Sequence, residues 1–512
     1  MSLNHTFKQY APLLQDLHAR SKEFDVLTSV SYIGIGLLAL FLSRYLTLKD
    51  GNGAIRKLGG FPIFTAWTFF TKRFDFIWAN FGNDPHFKFK VLHHNVVALR
   101  GEEARKAYFD NKSLDFIEGY KILMGGVPRL GDINIEDTQR DNVSSFNKHL
   151  VKLLNRNRLS DVLPSLFSDI DKRMKTWGKQ GQMDPFKSIY DLVFQMTVRM
   201  ASCAELSDNF KAIEEIQALY WTLEKSATPT VLLLPWFPGP AKKRKEQATK
   251  DLFIKLHDYV ELRRNAAVPS SDAIDVLLEE GLSTPDIVGF VLSVIFAGVI
   301  NTGINSCWAL VYLASHTDWK DKVKAEVDSL IQKHTTNSSN EPLHKRLAAI
   351  HISAWEDEMP VLELVIRETL RLSVNGVTLR RNLLEDMMLS GGVVKRGDFV
   401  AFSLADAHLN PEIYLRPHEF DPARFAPGRE EDKKGTFSYL GWGAGRHPCS
   451  GMKVAKLEIK IILAFMLAGF DFGIVDKSGK PVTELPKPDR NDIHQSRPLG
   501  DPCYLQFKRT VE

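Results

Sequence analysis

Three kinds of hydrophobic pattern divide the chain. Residues 26–43 form an uninterrupted charge-free run, with Phe24 and Tyr45 near its ends. Crossing the hydrocarbon core of a bilayer takes about 20 apolar residues of helix, and aromatic side chains settle at the two interfaces. The run starts late for a signal peptide and lacks a convincing small-residue cleavage site, so it is read as an uncleaved anchor, about 26–45. A second charge-free run, Ile287–Ser315, is apolar all round but carries Asn301, Thr302, Asn305 and Cys307 in its middle. A helix that is hydrophobic on every side is buried on every side, and the polar centre places this one in the protein core rather than in lipid.

Elsewhere the period shortens or turns amphipathic. Residues 140–330 read as a long helical region, Met359–Leu372 as an amphipathic helix and Met452–Leu467 as a further helix. Phe87–Leu92 followed by Asn95–Arg100 predicts a hairpin, and Thr378–Asn382 a strand. No internal repeat or low-complexity tract interrupts the pattern. The expectation is a mainly α fold with a smaller β region: residues 1–50 carry the anchor and 51–512 form the globular domain. Residues 228–250 combine an apolar, proline-broken tip with the basic cluster Lys242, Lys243, Arg244 and Lys245. Two readings stand side by side: a loop dipping into lipid headgroups, or a packed loop followed by a solvated helix start.

The centre of the second run holds an anomaly. Gly298 inside a helix costs about 1 kcal/mol relative to Ala. Thr302 lies four residues on, where its hydroxyl can bond the Gly298 carbonyl and bend the helix. A ladder opened there would make room for a ligand and a water chain.

Composition narrows the class. With 44% hydrophobic and 25% charged residues the chain is ordinary globular protein, and a net charge of +4 over 512 residues argues for no nucleic-acid partner. Four scattered cysteines, Cys203, Cys307, Cys449 and Cys503, make no disulfide framework and suit a reducing compartment.

One cysteine has a distinctive setting. Phe437–Gly451 reads Phe-Ser-Tyr-Leu-Gly-Trp-Gly-Ala-Gly-Arg-His-Pro-Cys-Ser-Gly. Gly441, Gly443, Gly445 and Gly451 let backbone close around a bound atom, and Cys449 stands at the foot of a helix, where the macrodipole favours thiolate. A phosphate loop would need Gly-Lys-Ser/Thr or a βαβ setting, and zinc would need three more ligands nearby; neither is present. A single-thiolate site remains, and its natural occupant is haem iron.

Trp442-Gly-x-Gly-Arg-His-x-Cys449-x-Gly451 resembles the haem-binding loop of the cytochrome P450 family in its eukaryotic membrane-bound form, although that family usually has Phe at the place of Trp442 and seldom Pro at that of Pro448. The order Glu368-x-x-Arg371, then Pro-x-Arg424-Phe, then the cysteine loop extends the resemblance over about 90 residues. It implies the cytochrome P450 fold, with Cys449 as axial ligand of haem b and Trp442, Gly443, Gly445 and Gly451 around it. Glu368, Arg371 and Arg424 would form a buried charge triad. Arg381, Arg446 and His447 would hold the haem propionates, while the family's usual Trp-x-x-x-Arg is not visible around Phe146–His149. Thr302 would be the alcohol that supports protonation of dioxygen, with Asn301 where the family has an acid. The phrase around Asn301–Leu310 resembles the sterol 7α- and 12α-hydroxylase branch. Phe296, Gly298, Val299, Ile300, Val374 and Val377 are expected to line the substrate pocket.

The resemblance further implies a monooxygenase acting on a lipophilic molecule of sterol, terpenoid or fatty acyl type, as in secondary metabolism. No flavin or NADPH module fits in the chain, so electrons would come from NADPH–cytochrome P450 reductase, with cytochrome b5 as a second donor. It also implies the endoplasmic reticulum membrane, a cytosolic catalytic domain and a lumenal Asn4 open to glycosylation. Two rivals are weighed: a haem-thiolate isomerase or dehydratase acting on a peroxide, against which Thr302 argues, and a non-enzymatic haem carrier.

Overall fold

In the computed structural model the second apolar run becomes the axis of the molecule. The helix Thr284–Ser315 is capped at its start by Ser283, whose hydroxyl accepts from the Asp286 N–H, and ends at His316. Across it pack the helices Pro185–Ala201, Pro360–Ser373, Met452–Gly469 and Pro240–Arg264. Trp308, Ala309, Leu310 and Val311 are fully enclosed, each large apolar side chain contributing about 1.5–3 kcal/mol relative to exposure. This is the only helix among the described residues long and apolar enough to cross a membrane, and most of it is buried in protein. The core-helix expectation holds.

The structure describes residues 55–512 apart from 124–129, 134, 136–142, 336–340, 390–391, 493–495 and 512, together with a few helical positions between 32 and 38. The expected anchor (about 26–45) and Asn4 lie outside those residues, save for the few positions between 32 and 38.

The β region is small and lies to one side. Its main sheet runs His86–Val91, His94–Leu99, Phe399–Ser403, Val377–Asn382, Leu114–Asp115. The first two strands form the expected hairpin, paired antiparallel from His86 with Leu99 to Val91 with His94. Phe399–Ser403 joins it in parallel, and Val377–Asn382 follows antiparallel with Arg380 opposite Val400. Phe69, Phe76, Phe87 and Phe89 fill the space between this sheet and the helix Pro62–Thr71. Leu233 of the proline-broken tip packs into the same aromatic cluster, whereas Trp236 is 68% exposed. The tip is thus part packed loop, part exposed aromatic. A second sheet places Tyr504–Arg509 between Gln180–Met183 and Phe470–Val475.

Candidate active site

The buried axis is interrupted at one place. Ala297 and Asn301 are exposed in the middle of an otherwise enclosed helix, because they face a cavity of about 420 Å³. The helix lines it with Val294, Ala297, Gly298, Asn301, Thr302 and Asn305, the i, i+3, i+4 spacing of one helical face. Opposite stand the cysteine loop and the first turns of Met452–Gly469. The walls are mostly apolar.

Glycine is required at two points of the cysteine loop. Gly443 has φ +69°, and a Cβ there would lie 2.7 Å from the His447 carbonyl oxygen. Gly445 has φ +59°, and its Cβ would meet the Phe109 carbonyl oxygen at 2.4 Å. Any side chain would open the loop. The Cys449 N–H donates to the Trp442 carbonyl at 2.7 Å and the Arg446 N–H to that of Phe109 at 3.1 Å. Cys449 is accessible, and it lines the cavity; Cys203, Cys307 and Cys503 are buried. Burial pushes the Cys449 thiol up, opposed only by the Gly451 backbone N–H. The positive charge of a bound metal would favour the thiolate against that burial. No group of three or more His, Cys, Asp or Glu side chains placed to hold a metal occurs among the described residues. A metal at Cys449 must bring its other ligands with it, as the iron of a haem does.

An unpaired cation stands at the rim. Arg380 is 2% exposed, and its guanidinium donates to the carbonyls of Tyr108 and Phe109, with no carboxylate partner among the described residues. Burial holds its pKa below the usual arginine range. A desolvated, uncompensated guanidinium is a ready site for an anionic group. His447, stacked on Phe116 at 5.7 Å, lines the same cavity.

Behind the loop the charges are fully paired. Glu368 accepts from Arg371 Nε at 2.8 Å and Arg424 Nε at 3.0 Å, all three side chains at 0% exposure. Arg371 also donates to the carbonyls of His408 and Pro417 at 2.6 and 2.7 Å, and Arg424 to Glu431 at 2.8 Å. His408, missed in the sequence, ties this network to the cysteine loop. Its Nδ1 meets the Val374 carbonyl at 2.9 Å and its Nε2 accepts the Leu440 N–H at 2.8 Å. That pair of bonds requires the neutral ring with its proton on Nδ1. Burial, with Arg371 nearby, pulls its pKa down to about 3.

The expected pocket residues divide cleanly. Gly298, Asn301, Thr302, Val374, Trp442, Gly443, His447, Cys449 and Gly451 line the cavity. Phe296, Val299 and Ile300 do not; they turn into the core at 7%, 0% and 4% exposure. In the strand Val377–Asn382 the expectation was off by one residue. Thr378 and Arg380 face the cavity, so Val377 and Arg381 point to the opposite face, as strand alternation demands. Arg381 pairs instead with Glu118 at 3.1 Å. Arg446 and Gly445 serve the loop through backbone contacts with Phe109 rather than lining the cavity. Nor does the central helix open at Gly298. It runs as α-helix throughout, and Asn301, not Thr302, bonds a carbonyl one turn back, that of Ala297 at 3.0 Å. In the helix Val143–Leu153, Phe146, Leu150 and Leu153 line the cavity with apolar surface.

The family model for cytochrome P450 matches residues 79–493. The chain is 31% identical over 465 residues to the cytochrome P450 monooxygenase AacuE of Aspergillus aculeatus, covering 88% of this chain and 92% of that one. It is 26% identical over 401 residues to a sterol 14-demethylase of Arabidopsis thaliana, covering 76% and 79%. The solved structure of a retinoic acid-bound cyanobacterial CYP120A1 superposes with a TM-score of 0.69 at 20% identity, over 90% of this chain and all of that one. Fold, loop and relatives agree: the chain belongs to the cytochrome P450 family and is a P450 monooxygenase, with the cysteine-ligated haem that membership implies.

Proposed function

We propose that the cavity between Cys449 and Asn301–Thr302 is where haem b binds and a lipophilic molecule is oxidised. One observation carries this: the sole cysteine open to a cavity lies across it from the polar turn of the central helix. The haem, when bound, supplies the iron that activates dioxygen for insertion of one oxygen atom into a C–H bond. The protein's own residues do the rest. Cys449 would ligate the iron through its sulfur, with the Gly451 N–H beside it to temper its charge. Arg380 and His447 would hold the propionates. Thr302 and Asn301 bring hydroxyl and amide groups to the cavity wall, and Val294, Ala297 and Val374 exclude water and favour apolar substrate. The sterol 14-demethylase relative supports a sterol-like substrate class. Electrons come from a separate NADPH–cytochrome P450 reductase at the endoplasmic reticulum membrane, with residues 26–45 as anchor. Exposed Trp236, beside Lys242 and Lys243, makes a second membrane contact.

The test is the reduced carbon monoxide difference spectrum of the full chain beside Cys449→Ser. The expected result is the red-shifted Soret band of thiolate ligation, lost in the variant. A band that survives the substitution would overturn the assignment.

A further inference from the structure

Two residues of the cysteine loop depart from the family's usual pattern, Trp442 and Pro448, and both bear on the hydrogen bonds around one sulfur. Pro448, directly before Cys449, brings no N–H to the turn that wraps the ligand. Most of the remaining backbone donors are spent within the loop. The Cys449 N–H donates to the Trp442 carbonyl at 2.7 Å, and those of Gly443, Arg446 and His447 to Leu440, Phe109 and Ala444. Among the described residues the Gly451 N–H is the one donor directed at the sulfur. Trp442 lines the same cavity as Cys449, and its Nε1 is buried without a hydrogen-bond partner. Lys456 of Met452–Gly469, paired with Glu363, holds its ammonium 5.7 Å from the indole centroid. That cation steadies the ring but cannot accept from Nε1, so the N–H stays unmatched. Tyr439, whose hydroxyl is orphaned in the same loop, does not line the cavity. A buried donor with no acceptor is costly and calls for an explanation.

Resting on the haem reading of this cavity, we propose that the Trp442 indole N–H is the second donor to the Cys449 sulfur, in place of the backbone donor that Pro448 removes. A neutral thiol is a weak acceptor, whereas a sulfur carrying negative charge toward a metal draws a donor strongly. Trp442 is suited to answer it, because the two main chains are bonded to each other and both residues line one cavity. An indole is a donor only, so it cannot compete for the iron. Its hydrogen bond withdraws charge from the sulfur, weakens the iron–sulfur bond and favours the reduced metal. Trp442 is thus a positioning residue that acts through Cys449. The two departures belong together: the loop exchanges one backbone donor for one side-chain donor.

The test uses the haem-loaded full chain as wild type, Trp442→Phe, Pro448→Ala and the double variant. A further sample carries benzothienylalanine in place of Trp442, which keeps the shape of the indole and replaces its N–H by sulfur. Potentiometric titration and the resonance Raman iron–sulfur stretch read the bond itself, independently of turnover. Trp442→Phe and the isostere should both make the reduction potential more negative and raise the iron–sulfur frequency. Pro448→Ala should move both readouts little in the wild type, yet recover part of the loss in the Trp442→Phe background. An isostere that matches wild type in both readouts would overturn the proposal, since it removes the donor and leaves the packing. A Pro448→Ala effect of equal size with and without Trp442 would overturn the exchange of one donor for the other. A wild type without the thiolate spectrum would instead sink the underlying haem reading.

Discussion

Two buried glutamates, both facing helices of the same core, have opposite surroundings. Glu368 is spent: Arg371 bonds both of its oxygens, and Oε1 also receives Arg424 Nε and the Asp421 N–H. Glu458 has almost nothing, and on the same cavity wall Thr197 Oγ1 and Trp442 Nε1 are orphaned too. The difference separates scaffold from site. A polar group that only supports the fold is satisfied by the fold, since each unmet donor or acceptor weakens it. Groups left open along a cavity wall remain able to bond something other than protein. Glu368 is tied to the cysteine loop through Arg371 and His408, whereas Glu458 lines the cavity that the loop faces.

The largest effect should come from breaking the satisfied side. Arg371→Ala leaves Glu368 with one cation fewer and strips the donor from the His408 and Pro417 carbonyls. Removing one partner of a buried pair costs about 3–5 kcal/mol. Urea unfolding should show that loss, with haem incorporation falling in parallel. A stable variant would mean that the triad is dispensable.

His408→Ala comes next. It leaves the Leu440 N–H and the Val374 carbonyl unmatched, about 1–3 kcal/mol for each group. The pH dependence has a definite sign. A histidine held down to about 3 from 6.5 binds fewer protons folded than unfolded. Its contribution is complete above 6.5 and is lost as pH falls toward 3. Wild type should therefore destabilise with acid over that window more steeply than His408→Ala. Parallel acid-unfolding curves would show that His408 does not titrate this way.

Glu458→Gln has the opposite sign. Held up to about 8 from 4.5, Glu458 keeps its proton folded while the unfolded chain has lost its own. Stability therefore falls as pH rises from 4.5 toward 8. The glutamine variant is free of that penalty and should match or exceed wild type above pH 8. A variant weaker than wild type at alkaline pH would mean that the carboxylate is stabilised by something absent from its present surroundings.

The spent side was legible in the sequence and the open side much less so. Glu368, Arg371 and Arg424 came from a motif with fixed spacing, and the Gly443, Gly445 and Cys449 loop from residue types with few other uses. The central helix followed from a run with no charge. What escaped depends on phase. Arg380 rather than Arg381, and Thr378 rather than Val377, are one slip of a strand whose facing sheet could not be placed from the chain alone. Phe296, Val299 and Ile300 neighbour Thr302 in sequence, but the lining positions recur at helical spacing from Val294 to Asn305. His408 and Glu458 carry no local signal, because what marks them is burial and the company of residues far away in the chain. A count of helical phase from Gly298 would have recovered Val294, Ala297 and Asn305.

The smallest stability change tests the open side most directly. Gly298→Ala sets two effects against each other. Alanine gains about 1 kcal/mol of helix propensity over glycine, while its Cβ would sit 3.0 Å from Thr197 Cγ2, a methyl that can turn aside. The melting temperature should therefore move little, within about 1 kcal/mol of stability either way. The added methyl nonetheless narrows the cavity wall at Gly298, beside Thr197. If substrate packs against that wall, Gly298→Ala should raise the substrate concentration needed for half-maximal NADPH-driven oxygen consumption while the thiolate spectrum stays intact. An unchanged substrate dependence at unchanged stability would show that the glycine is merely tolerated.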